Sequence, residues 1–462
     1  MHRYIGDRSF YRRVFAILLP ILIQNVITNF VSLLDNIMVG QVGTEPMSGV
    51  AIVNQLIFVF NLCTFGGLSG AGILTAQFFG KGDQEGIRQT IRVKLLIGLG
   101  ILLAFGSVLF FTGDRFIGLF LHEGESGLDL AATMEYARDY LDVMLLQLIP
   151  FVITVMYSST LRETGETLLP MKAGLIAVFV NLVFNYILIF GKFGAPELGV
   201  VGAAIATVLA RIVEMSIVIL WTHRHSARNP YIIGVFRSLK VPKSVLRKVV
   251  LLGLPLMANE LLWSGGMTFL NQCYSLRGLE VVSAMNIYST ISNLFFSAFI
   301  STGNATTIMV GQLLGAGELD RAVDEDRKLI AFALVLSFVL GGLMALTAPF
   351  FPQIYNTIPQ VKQLATKILL ISALMMPLHA FSNSCYFTLR SGGKTVITFI
   401  FDSGTLWLIS IPVAFVLGHY TRMPIVPFYA LVEALNIIKC LIGLFMVRQK
   451  KWVVNLVGES NT

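Results

Sequence analysis

The sequence predicts an all-α polytopic membrane protein, with twelve transmembrane helices in two parallel six-helix bundles around a central cleft. Three observations predict it. Of 462 residues, 55% are apolar and only 13% carry charge, with a mean hydropathy of +0.76. Average soluble domains run about 45–50% apolar with Gly counted and about 25% charged. The apolar residues gather into runs of about the ~20 residues needed to cross a bilayer. The second half of the chain repeats the first in register. Together these exclude a soluble enzyme, a secreted disulfide scaffold and a disordered tail.

The apolar segments run over 14–38, 47–79, 95–112, 140–160, 167–190, 198–221, 244–275, 281–314, 329–348, 364–388, 396–417 and 425–447. Several exceed a bare span, which allows tilt or bending. The short basic start reads as a retained first helix, because no small-residue cleavage site follows the first apolar run. With the N-terminus inside, 26 of the 34 Lys and Arg fall on inner segments, 7 fall on outer loops, and Arg211 lies within a span. That asymmetry predicts cytoplasmic termini and accounts for most of the +8 net charge without nucleic acid. The long outer stretch 113–139 carries six acids and reads as a solvated loop with a partly helical cap.

The repeat is gapless at first. Displaced by 235, Leu19-Pro20 meets Leu254-Pro255, Asn36 meets Asn271, and Gln77, Gly80, Gly82 and Arg92 meet Gln312, Gly315, Gly317 and Arg327. Displaced by 228, Thr160-Leu161-Arg162 meets Thr388-Leu389-Arg390. Six spans return the chain to its starting side, so the halves are parallel, related by an axis along the membrane normal. The expected organisation is an amino-terminal lobe 1–222, a cytoplasmic linker 223–243 and a carboxy-terminal lobe 244–462. Two such bundles around a cleft form the architecture of an alternating-access transporter.

Several motif-like strings carry no chemistry. Gly66 to Gly72 resembles a dinucleotide loop but lies inside an apolar helix. Ser391-Gly392-Gly393-Lys394-Thr395 resembles the end of a phosphate loop, yet Thr388 stands where its first Gly belongs, so it reads as a tight cytoplasmic turn. His223 and His225 read as a solvated pair, and Cys63, Cys273, Cys385 and Cys440 stand singly, so neither a metal site nor a disulfide framework is expected. No cluster of carboxylates supports enzyme chemistry, and no cofactor is expected.

Polar residues within the spans are costly, and each is a functional candidate. Asp35 lies late in the first segment, fifteen residues past Pro20, whose missing backbone donor permits a bend. Asn181 and Asn185 are one turn apart and share a helix face. Thr207 lies among small residues, Gly202 to Ala206, that allow close helix approach. A carboxylate, two amides and a hydroxyl suit a proton or a small hard cation. Glu260, five residues past Pro255, has Asn25 as its repeat mate and is a candidate ligand for an ion or a cationic substrate. His379 is a lone His on an apolar stretch of the tenth segment. Asp402 and Glu433 read as packing or interfacial acids, and Arg211 and Glu214 as partners of each other. The 34 Phe and 17 Met suit an adaptable cavity wall.

The ordered set of motifs resembles the multidrug and toxic compound extrusion (MATE) family over nearly the whole chain. It comprises Leu19-Pro20, Asp35 to Gly43, Gln77 to Asp83 with its copy Gln312 to Glu318, Asn181 to Phe190, Gly199 to Thr207 and Leu389 to Thr395. The terminal Lys451-Trp452-Val453-Val454-Asn455-Leu456 looks like a bacterial branch. The resemblance implies efflux of bulky, often cationic compounds, driven by inward H+ or Na+. It implies that Asp35 is the coupling acid, that Asn181 and Thr207 are its partners, and that Pro20 is the bend in the first helix. Asn185 stands where one branch has an Asp. The sodium-linked branch has acids in the seventh and tenth helices. Glu260 is similar to the first but about one turn nearer its proline, and Pro377-Leu378-His379-Ala380 offers no acid for the second. Expected substrate-side ligands are Glu260, His379 and Asn25. The expected state is a monomer in the bacterial inner membrane. A flippase for lipid-linked precursors, of the same broad fold group, is the alternative. The residues argue against it, because Arg211 is the main cation read within the spans.

Overall fold

A computed structural model describes residues 4–121 and 129–458 of the chain. Twelve long helices succeed one another, and the described residues contain no strand. They are α1 (Arg8–Gly40), α2 (Thr44–Lys81), α3 (Gln84–Gly118), α4 (Leu130–Glu163), α5 (Leu168–Ile189) and α6 (Gly199–Arg224). The second six are α7 (Lys243–Ser275), α8 (Leu279–Gly315), α9 (Leu319–Thr347), α10 (Pro359–Ser391), α11 (Thr395–Tyr420) and α12 (Ile425–Arg448). Part of the acidic outer stretch, 122–128, lies outside the described residues.

Eleven of these helices are long and apolar enough to cross a membrane. The exception is α7, which begins Lys-Ser-Val-Leu-Arg-Lys and carries Glu260 near its middle. Its place in the repeat marks it as a span even so. It has the bounds of α1 displaced by 235 residues, and Pro255 takes the place of Pro20. Both helices run unbroken through these prolines. Other helices carry breaks. A 3-10 turn, Leu145–Gln147, divides α4; two π-helical turns, Ile400–Gly404 and Leu406–Ser410, widen α11; and α12 is interrupted at Leu435.

The chain forms two compact units. The amino-terminal unit comprises 23–75 and 84–250; the carboxy-terminal unit comprises 251–462 together with 1–22 and 76–83. The first division in α1 falls two residues past Pro20. The start of α1 joins the carboxy-terminal unit for an apolar reason. Phe10 and Val14 are buried in one cluster with Val310, Leu313 and Leu314 of α8, Leu329 of α9, Leu389 of α10 and Trp452. Burying such side chains contributes roughly 1.5–3 kcal/mol each. In the same unit the end of α2 crosses the end of α8 at two glycines. A Cβ on Gly80 would overlap the carbonyl of Gln312, and one on Gly315 would overlap the carbonyl of Gln77. The contact is reciprocal under the repeat, so only glycine fits at either position.

Residues between α6 and α7 pack on the amino-terminal unit. Arg92 Nε donates to the Val235 carbonyl at 2.8 Å, and Arg88 donates to the carbonyls of Pro230 and Tyr231. The two tight turns read from the repeat are present. Gly165 lies just past α4 with φ +91°, and Gly393 just past α10 with φ +74°, a region that favours glycine. The string Gly66 to Gly72 lies within α2, as its apolar flanks required.

Candidate functional site

In the amino-terminal unit three helices bring four of the singled-out residues together. Asp35 comes from α1, Asn181 and Asn185 from α5, and Thr207 from α6. The spacing of four in α5 stacks its two asparagines, whose amides lie 3.2 Å apart. Asn185 Nδ2 also donates to Asp35 Oδ1 at 2.7 Å, the length of a charge-assisted bond. Gly202 brings α6 against α5, since a Cβ there would stand 2.6 Å from the Leu188 carbonyl. That approach places Thr207 Oγ1 3.3 Å from the Asn181 amide.

The Asn181 amide has its nitrogen toward both Asp35 oxygens, at 2.9 and 3.1 Å, and its oxygen accepting from Thr207 Oγ1 at 3.3 Å. Asn181 and Asn185 thus surround the carboxylate with amide donors. Asn181 and Asn185 are both buried, at 6% and 1% exposure. Among the described residues no Lys, Arg or His forms an ion pair with Asp35. Nearby on α4, Tyr140 is buried and donates to Asn54 Oδ1 at 3.3 Å.

Several other acids in these helices have a basic partner, whereas the buried Asp326 accepts from the Thr388 hydroxyl at 2.6 Å. Glu214 pairs with Arg211 at 2.8 Å, as the i, i+3 spacing predicted. Glu163 pairs with Lys94 at 2.6 Å, and the Lys94 side chain is fully buried. Lys94 therefore corrects the expectation that Arg211 is the main cation within the spans. Asp402 pairs with Lys439 and accepts from Asn259 Nδ2 at 3.0 Å. Glu433 pairs with His379 Nε2 at 2.7 Å. Both acids thus take part in contacts between helices. Each is half of a specific pair, with partners 37 and 54 residues away in sequence.

The carboxy-terminal candidates divide into two groups. Glu260 lies beside Arg390 and Asp402 and is half-buried. His379 belongs with Glu433, and the Phe296 ring meets it edge-on at 5.2 Å. Around Glu433 stand three tyrosines, the buried Tyr274 and Tyr429 and the half-buried Tyr288, none of which the sequence singled out. Asn25, the repeat mate of Glu260, is half-buried on α1 in the amino-terminal unit. Among the described residues there is no grouping of three His, Cys, Asp or Glu that could hold a metal ion.

A model of the MatE family matches residues 20–187 and 255–416, the two halves of the repeat. The chain belongs to the MatE family. Its members are transporters, so this MatE chain is a multi-pass membrane transporter and not an enzyme. It is 26% identical over 428 residues to the probable multidrug resistance protein YoeA of Bacillus subtilis, covering 90% of this chain and 89% of that one. It is 26% identical to the probable multidrug resistance protein NorM of Thermotoga maritima, covering 89% and 86%. An outward-facing multidrug resistance MATE transporter superposes with a TM-score of 0.86 at 20% identity, covering 97% of each chain. A transporter of the same superfamily from Pyrococcus furiosus superposes at 0.83 and 20% identity, also over 97% of each. These likenesses bear out the all-helical membrane fold of this MatE transporter.

Proposed function

We propose that this MatE transporter is a secondary multidrug efflux antiporter. It exports lipophilic or cationic organic compounds in exchange for inward H+ or Na+ by alternating access. Asp35 is the coupling acid, and Asn181, Asn185 and Thr207 tune it. The carrying observation is a carboxylate in a membrane helix whose hydrogen-bond donors are neutral amides and not a cation. An uncompensated carboxylate in that setting is costly, and binding a proton or a small cation relieves the cost. Ion and substrate must favour different conformations, or no exchange results.

Glu260 serves as the second ion or substrate ligand, with His379 and Asn25 as further substrate contacts and Pro20 as the bend in α1. The lobes match the repeat, 1–222 and 244–462 with a cytoplasmic linker at 223–243. Both termini face the cytoplasm of a bacterial inner membrane, and the transporter acts as a monomer. The family assignment and the multidrug names of its relatives favour this reading over a lipid-precursor flippase.

The test is transport by purified protein in liposomes preloaded with a fluorescent organic cation. A proton gradient and a sodium gradient are imposed separately. Movement under one gradient, lost in Asp35→Asn, is expected and names the ion. Movement that Asp35→Asn retains at the wild-type rate removes Asp35 from the mechanism. No movement under either gradient, with folded protein, favours the flippase.

A further inference from the structure

The segment after α12 does not trail away from the protein. Lys450 takes a left-handed conformation, φ +55°, that a non-glycine residue adopts only when its surroundings hold it there. The chain then turns back under the carboxy-terminal unit. Trp452 is 1% exposed among α1, α8, α9 and α10, and its Nε1 donates to the Val447 carbonyl at 3.1 Å. Gly392 accommodates the Trp452 carbonyl where a Cβ would otherwise stand.

Residues 454–458 bind three helix ends at once. Gln77 on α2 is fully buried, and its side chain treats the segment as a paired strand. Its Oε1 accepts from the Leu456 N–H at 2.7 Å, and its Nε2 donates to the carbonyls of Val454 and Ser391, at 3.3 and 3.2 Å. Lys81, one turn on, donates to the Val457 carbonyl at 2.8 Å. Asn455 Nδ2 donates to the carbonyl of Gly315 on α8, while its Oδ1 closes a turn by accepting from Val457 and Gly458. Leu456 lies against Gly393 in the turn after α10. The segment covers the Gly80–Gly315 crossing, where α2 and α8 meet backbone to backbone.

We propose that residues 450–458 are a conformational clasp. Docked, they fasten the end of α2 to α8 and to the α10 turn; undocked, they free the end of α2 to move away from α8. The clasp rests on the transport reading above, in which these ends face the cytoplasm and helices move during exchange. Its contacts to Gln77 and Lys81 use backbone atoms of the segment, and those of Asn455 and Trp452 use side chains, so docking depends on both its path and these two residues. Gln77, buried and three-way bonded, is the residue that recognises that path. Of its three bonds, only the one to the Ser391 carbonyl is independent of the segment.

The experiment uses full-length protein with Lys81→Cys and Val457→Cys together, joined by a reductant-cleavable bis-methanethiosulfonate linker. Each single variant treated with the same reagent is a control. Linkage is expected to cut export at least tenfold, and reductant to restore it. Linked protein that exports at more than half the unlinked rate overturns the clasp. A second readout needs no export. Leu456→Cys is labelled by a water-soluble maleimide with and without a saturating lipophilic cation. Labelling that accelerates several-fold with the cation supports the clasp, and labelling unchanged by it overturns the clasp. Wild-type liposomes that move nothing under either gradient count against the transport reading, whereas unchanged labelling in protein whose liposomes move the cation counts against the clasp alone.

Discussion

Glu163→Gln tests whether the interior of the amino-terminal unit depends on a buried ion pair. Lys94 Nζ has three partners, Glu163 Oε2 at 2.6 Å, Ser159 Oγ at 2.9 Å and Thr160 Oγ1 at 3.0 Å. The Lys94 side chain is 0% exposed, and the Glu163 side chain is 14% exposed. The substitution keeps shape and removes the charge, leaving the ammonium group with neutral acceptors only, two hydroxyls and an amide oxygen. Removing one member of a buried pair costs about 3–5 kcal/mol. Partial exposure of Glu163 screens the pair, so about 3 kcal/mol is expected. Scaling the shift of ~2–4 °C per kcal/mol for chains of 150–250 residues to this length gives ~1–2 °C per kcal/mol, a fall of roughly 3–6 °C. The assay is thermal unfolding in detergent followed by the loss of helical circular dichroism. Lys94→Met with Glu163→Gln removes the stranded charge and recovers most of the loss. A single variant within 1 °C of wild type, or a double variant no better than the single, refutes the reasoning.

Other substitutions probe the remaining contacts. Asn185→Ala removes a charge-assisted bond to Asp35 worth about 1.5–3 kcal/mol. Gradient-driven export is expected to slow roughly tenfold or more while thermal stability changes little. Gly80→Ala and Gly315→Ala place a Cβ on a backbone carbonyl and are each expected to destabilise the fold by more than ~2 kcal/mol. Gly82→Ala meets no atom and costs only the left-handed penalty of about 1 kcal/mol, read in the same unfolding assay. Arg277 donates to the carbonyls of Leu417, Gly418, Thr421 and Met423, where α11 ends. Arg277→Ala is expected to speed hydrogen exchange over 417–423 and to lower stability by roughly 2 kcal/mol.

The repeat makes the fold legible. The identical placement of Pro20 and Pro255, and of Gly80 and Gly315, marks matching helices and matching crossing points in the two halves. The Asp35 cluster is legible for a local reason. Asn181 and Asn185 share a face by spacing, and the small residues before Thr207 announce a close neighbour. The ion pairs are not legible when their members are distant in sequence. Lys94 reads as one more inner-side charge, because nothing around it names Glu163, which is 69 residues later. Lys439 stands six residues from Glu433 on α12 yet pairs with Asp402 of α11, leaving Glu433 to His379. The segment after α12 reads only as a family-like string. Part of its docking lies in backbone hydrogen bonds to Gln77 and Lys81, which side-chain patterns do not encode.

The central claim is that Asp35 holds the coupling ion. The most direct measurement tracks ion release when purified protein in detergent binds a lipophilic cation, using a pH indicator in weak buffer and, in parallel, a sodium-selective electrode. If Asp35 is the ion's ligand, wild-type protein releases a proton or a sodium ion on binding substrate, and Asp35→Asn protein that still binds the cation releases none. Equal release by both proteins would contradict the claim.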